Sequence, residues 1–151
     1  MSHSCQMRTL INLQQLVSVM GDAVVVCDTE GSITLWNPAA EYMFGFTEAE
    51  ALGQSLDLII PERLRQRHWE AYHKTMVTGQ TRYGHDVLRV PAVNKAGSPM
   101  SISFTVALLN DANGQVIGIA SVIRDETIKF QEERLMRKRL AELESAAGKT
   151  Q

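Results

Sequence analysis

Between Ile59 and Gly84 the apolar and polar positions follow the period of a helix. Leu64, His68, Ala71, Tyr72, Thr75 and Met76 recur at spacings of three and four, whereas Arg63, Arg65, Arg67, Glu70 and Lys74 fall mostly on the other side. Pro61 suits a first helical turn and Gly79 a left-handed C-cap, so the pattern predicts one helix from Pro61 to Thr78. His68 is out of place on the inward stripe. An imidazole facing a core needs a hydrogen-bond partner, a metal or a route to water, because leaving it unsatisfied costs ~1–3 kcal/mol.

The remaining pattern places this helix inside an α+β layout, one antiparallel sheet with helices gathered on one face. After a polar start at residues 1–6, Leu10, Ile11, Leu13, Leu16, Val17 and Met20 predict an amphipathic helix that begins at Met7 and ends at Gly21. Ala23–Cys27 and Ile33–Trp36 read as a hairpin across Asp28-Thr29-Glu30-Gly31, and Asn37-Pro38 stops its second strand. Ala39–Phe44 is helical, Thr47 with Glu50 forms a capping box for a second short helix, and Gly53 closes that one. Beyond Gly84 three hairpin-linked strands follow: Val87–Val93, Met100–Leu109 and Gln115–Arg124, with Pro91 marking a bulge or an edge. In the middle strand Met100, Ile102, Phe104 and Val106 alternate with Ser101, Ser103 and Thr105, which predicts one core face and one polar or lightly covered face. From Thr127 onward the chain is charged and helix-prone. Met136, Leu140, Leu143 and Ala147, with Leu135 beside them, are spaced either for a short coiled-coil seam or for a stripe that packs back on the domain. The organisation is thus a polar start and helix at 1–21, a domain at 22–126 and a signalling or dimerising helix at 127–151.

Bulk properties narrow the class of function. A chain of 151 residues forms one domain, and its net charge of -2 points to neither nucleic acid nor an anionic membrane as partner. Cys5 and Cys27 offer no disulfide framework and no paired ligand spacing, and no apolar run approaches the ~20 residues that would span a bilayer. A reducing, cytoplasmic setting is expected. No nucleophile–base pair, glycine-rich phosphate loop or paired-carboxylate motif is present, so no enzyme activity is expected.

Several short motifs together resemble the PAS domain family over roughly Leu16 to Thr127. They are Asp28-x-x-Gly31, Trp36-Asn37-Pro38-Ala39-Ala40-Glu41, Phe44-Gly45-Phe46-Thr47-x-x-Glu50 with Leu52-Gly53, Asn94-Lys95-x-Gly97, and Arg124-Asp125-x-Thr127. Each also has a local physical role. Asn37 can bond backbone beyond its strand, Gly45 relaxes the chain between two helices, and Asp125 with Thr127 can cap the last helix. The resemblance implies a five-stranded antiparallel sheet with short helices on one face, flanked by terminal helices, and a small ligand enclosed between the longer helix and the sheet.

Ile60-Pro61-Glu62-x-Leu64-Arg65-x-x-His68 is similar to the corresponding segment of haem-binding PAS sensors of the FixL and direct-oxygen-sensor type. That similarity implies His68 as proximal haem ligand, with Tyr72, Ile102, Phe104 and Ile119 along the pocket and gas or redox sensing as the function. On the distal side those sensors place a methionine or arginine; here the nearest positions are His85, Asp86, Val87 and Arg89, which makes His85 a candidate sixth ligand and Arg89 a candidate donor to bound gas. His73 is turned about 140° from His68 and does not share a metal with it, and His3 lies in the loose start. Trp69, Tyr72 and Tyr83 can line a pocket or pack a core. The photoreceptor branch carries a cysteine where this chain reads Leu58-Ile59-Ile60-Pro61-Glu62, so flavin photochemistry of that kind is not expected. The implied module is a homodimer through its terminal helices, signalling to an unidentified downstream protein. The alternative is a non-haem adaptor, with an organic ligand or an empty core, whose work is protein–protein assembly.

Overall fold

The computed structural model describes residues 10–81 and 85–149. The elements run α1 (Leu13–Val19), β1 (Ala23–Asp28), β2 (Ile33–Trp36), α2 (Pro38–Phe44), α3 (Glu48–Ala51), α4 (Arg65–Thr78), β3 (Leu88–Val93), β4 (Pro99–Asn110), β5 (Val116–Asp125) and α5 (Thr127–Lys149). All neighbouring strands are antiparallel, in the spatial order β2-β1-β5-β4-β3. The expected α+β class and five-stranded sheet are thereby present. Pro91 lies on an edge strand, where its missing N–H removes no ladder bond on the open side.

Local chemistry accounts for most boundaries. Thr47 and Glu50 make the reciprocal capping box of α3, and Gly45 ends α2 in the left-handed region at φ 84°. Asp28 folds the β1–β2 turn by accepting from the backbone N–H groups of Glu30 and Ser32 at 2.9 and 3.0 Å. Asn37 does more than fix its strand's exit. Its Oδ1 accepts from Val24 N and Ala40 N at 2.9 and 3.0 Å, and its Nδ2 donates to the Val17 and Asp22 carbonyls at 3.0 and 3.1 Å. One buried side chain thus ties α1, β1 and α2 together with every polar valence used.

The core lies between one sheet face and α2, α3 and α4. Ala23, Val25 and Cys27 of β1, Met100 and Ile102 of β4 and Ile123 of β5 meet Ala40, Phe44, Ile59 and Tyr72 there. Trp36 packs on Phe44 with ring centroids 5.5 Å apart and donates from Nε1 to the Phe46 carbonyl at 2.9 Å. Burial, aided by Asp28, pushes the Cys27 thiol up to about 12, so it behaves as an apolar filler.

Four expectations are corrected. The central helix is not continuous from Pro61: a 3-10 turn at Glu62–Leu64 precedes α4, held by Arg65, whose Nε donates to the Ile60 carbonyl at 3.1 Å. Ala71 is exposed, and Trp69 faces inward instead. The α1 helix stops at Val19 with Met20 as C-cap and buries no residue; Leu13 and Val19 are both 71% exposed. The serine face of β4 is less open than its composition predicts. Ser103 is buried because Glu126 covers it, accepting from its Oγ at 3.0 Å. His3, Cys5, the helix start at Met7, Tyr83, Gly84 and the last two residues lie outside the described residues.

Candidate functional site

His68 and Tyr72 stand one turn apart on the inward face of α4. The His68 ring meets the edge of Trp69 at 4.6 Å and 81° and lies 5.9 Å from Tyr72. Two anchors hold this aromatic group, one to the 3-10 turn at Leu56–Ile59 and one to the end of β1. Trp69 donates from Nε1 to Asp57 Oδ1 at 2.7 Å, and the Tyr72 hydroxyl donates to the Asp28 carbonyl. The length of the Tyr72 side chain therefore spans the gap between α4 and the end of β1. Gly31 is required at the turn twice over: its φ is +86°, and a Cβ there overlaps the Trp69 ring.

His68 itself has a free polar atom. Its Nδ1 is buried and has no hydrogen-bond partner. Burial lowers the imidazole pKa below the ordinary histidine value, against an upward pull from Asp57, so the ring is held neutral. An unpaired nitrogen of this kind is a standing cost of ~1–3 kcal/mol that a ligand can relieve. Burial likewise raises the Tyr72 phenol, which stays a donor. A neutral, unpartnered imidazole beside apolar residues supplies the nitrogen donor that a haem held by one histidine requires. Neither the cavity under α5 nor the one beside α1 and α2 is lined by His68, so seating such a group moves Tyr72 and its neighbours.

Of the other candidates, Ile102 is buried in the core, and Phe104 and Ile119 are half-buried against it, on the sheet face that α4 covers. The two distal candidates are not brought to that face. His85 is exposed in the turn before β3. Arg89 pairs across with Ser103, and cross-strand partners share a face, so it lies on the side of the sheet turned away from His68. Arg89 as a donor to a ligand on His68 is thereby corrected, and the reason is strand register. His73 is exposed. Among the described residues no three His, Cys, Asp or Glu side chains gather as a metal cluster. Reasoning from sequence missed Asp57 and the Trp69–Gly31 packing. The one available signal was the tryptophan next to His68, since a half-buried indole needs an acceptor for its N–H.

The family model described as PAS fold matches residues 17–129. Among curated proteins, the chain is 40% identical to the sensor protein FixL of Bradyrhizobium diazoefficiens over 57 residues, which are 38% of this chain and 11% of that protein. It is 26% identical to the oxygen sensor protein DosP of Escherichia coli over 106 residues, 70% of this chain and 13% of that one. The chain thus spans about an eighth or less of the length of these relatives. Among solved structures, the PAS domain of a protein from Colwellia psychrerythraea superposes with a TM-score of 0.66 at 20% identity, covering 82% of this chain and 98% of that one. An RNA-binding light-oxygen-voltage receptor superposes at 0.70 and 17% identity, covering 88% of this chain and 39% of that one.

Proposed function

Because this chain belongs to the PAS-fold family, we propose that it is a sensory module, not an enzyme, that takes a b-type haem on His68 and reports the state of that site through its terminal helices. The observation that carries this reading is the buried, unpartnered His68 Nδ1 on α4. Its similarity to the haem-binding PAS segment and the family's sensor relatives support it. When bound, the group supplies an iron centre responsive to gas or redox state. The chain's part is to hold a neutral imidazole, fix its plane with Trp69, and exclude water with Ile102, Phe104 and Ile119.

The route outward is short. Asp125 Oδ1 accepts from Thr127 N at 2.9 Å, Ser101 N donates to Thr127 Oγ1 at 3.1 Å, and Glu126 N donates to the Ser101 carbonyl at 2.8 Å, so the start of α5 is tied to the interior strands β4 and β5. Leu135, Met136, Leu140 and Leu143 of α5 and Leu13, Leu16 and Val19 of α1 are exposed, which favours a homodimer through these helices acting on a downstream protein. No helix among the described residues is long and apolar enough to cross a membrane, and a cytoplasmic setting belongs to the same proposal. Titration with haemin tests the reading. The wild-type chain gains a saturable Soret band at one equivalent and scatters light as a dimer. His68→Ala loses the band, His73→Ala keeps it, and a chain ending at Thr127 scatters as a monomer. Equal bands in the two histidine variants contradict the haem site, and an unchanged mass contradicts the helical interface.

A further inference from the structure

The sheet face turned away from His68 carries a cavity of about 250 Å3, roofed by the first turns of α5 and floored by β3 and β4. Pro91 and Phe130 give it apolar walls, and Arg89, Lys129 and Arg137 stand around it. None of these three cations forms an ion pair with a described residue; the ion pairs present are Arg65–Asp57, Lys95–Glu50 and Arg124–Asp22. The lining also holds two carboxylates, Glu133 and Glu126, the second of which accepts from the Ser103 hydroxyl and keeps its charge. Three cations thus face two carboxylates, a surplus of one positive charge, across a partly apolar space.

We propose that this cavity is a second ligand site, for a small monocarboxylate with an apolar body, such as an aromatic or short-chain fatty acid. The charge surplus selects an anion, and the planar forks of Arg89 and Arg137 match a carboxylate with two parallel hydrogen bonds. The walls reward an apolar body, which inorganic phosphate lacks. The volume lies just below the ~300–1,000 Å3 of drug-sized pockets, the size of a small acid. Since α5 forms the roof, an acid bound here bridges that helix to β3 from the face opposite the His68 site.

The test is calorimetry and amide NMR on the full chain without haemin, using benzoate and hexanoate against benzyl alcohol and benzylamine. The expected result is saturable binding of the two acids, with shifts confined to β3, β4 and the first turns of α5. Arg89→Ala and Arg137→Ala each weaken it about tenfold or more, as loss of a charge-assisted pair does, and both side chains are exposed or at the rim, so the fold survives. His68→Ala leaves acid binding unchanged, which separates this site from the haem site. No saturable binding at roughly 10 mM, equal binding of benzyl alcohol, or binding lost in His68→Ala and kept in Arg89→Ala overturns the proposal.

Discussion

Asn37→Ala lowers the stability of the domain by about 3–5 kcal/mol, read as a fall in the urea midpoint at unchanged slope. The side chain is 4% exposed and makes four hydrogen bonds, two as acceptor and two as donor. Alanine removes all four. The N–H of Val24 then stays buried without a partner at ~1–3 kcal/mol, α2 loses its N-cap bond at Ala40, worth ~0.5–2 kcal/mol, and the Val17 and Asp22 carbonyls lose their donor. Asn37→Ser separates the contributions. A serine hydroxyl can still cap α2 but is too short to bond Val24, Val17 and Asp22 as well, so it recovers less than half of the loss. A deficit below about 1 kcal/mol for alanine contradicts the role of Asn37 as the joint between α1, β1 and α2.

Gly31→Ala is expected to lose about 2–4 kcal/mol and to displace Trp69. Gly97 supplies the control. Both glycines have positive φ, 86° and 80°, but a Cβ at Gly97 meets nothing within 4 Å. Gly97→Ala therefore bears only the left-handed penalty, of order 1 kcal/mol. The excess at Gly31 comes from Trp69, which cannot swing aside freely because Asp57 holds its Nε1 at 2.7 Å. In a Trp69→Ala background the added cost of Gly31→Ala drops to that of Gly97→Ala. If the two glycine variants unfold alike in the wild-type background, α4 is not braced against the hairpin as described.

The features legible in the sequence were those with local causes. The Thr47–Glu50 capping box, the Asp28 and Gly31 turn, the C-cap at Gly79 and the edge position of Pro91 each depend on residues within a few positions. The His68 anomaly was also visible, because a titratable ring on an apolar stripe is a conflict within one helix. What escaped was set at longer range. The break before α4 is made by Arg65 reaching back to the Ile60 and Asp57 carbonyls. The inward turn of Trp69 needs a bare glycine 38 positions earlier. Arg89 looked like a distal group because nothing in the chain shows which face β3 presents, and a slip of one residue reverses every side chain. The burial of Ser103 follows from where α5 docks, and the alternation within β4 cannot reveal that.

Everything proposed for the site depends on His68 holding a neutral, buried Nδ1 with no hydrogen-bond partner. A folded-state pKa below the unfolded value of ~6.5 means that the unfolded chain takes up a proton the folded ring refuses. The contribution of His68 is therefore fully present at neutral pH and is lost as pH falls below ~6.5 toward the folded pKa. Long-range nitrogen–proton NMR of the histidine rings reads this state directly. At neutral pH the His68 ring is expected to show one protonated and one bare nitrogen, and one equivalent of haemin abolishes the His68 signals, in the wild-type chain and in His73→Ala alike. A His68 ring that carries a proton on both nitrogens at neutral pH, and keeps its signals when haemin is added, contradicts the assignment.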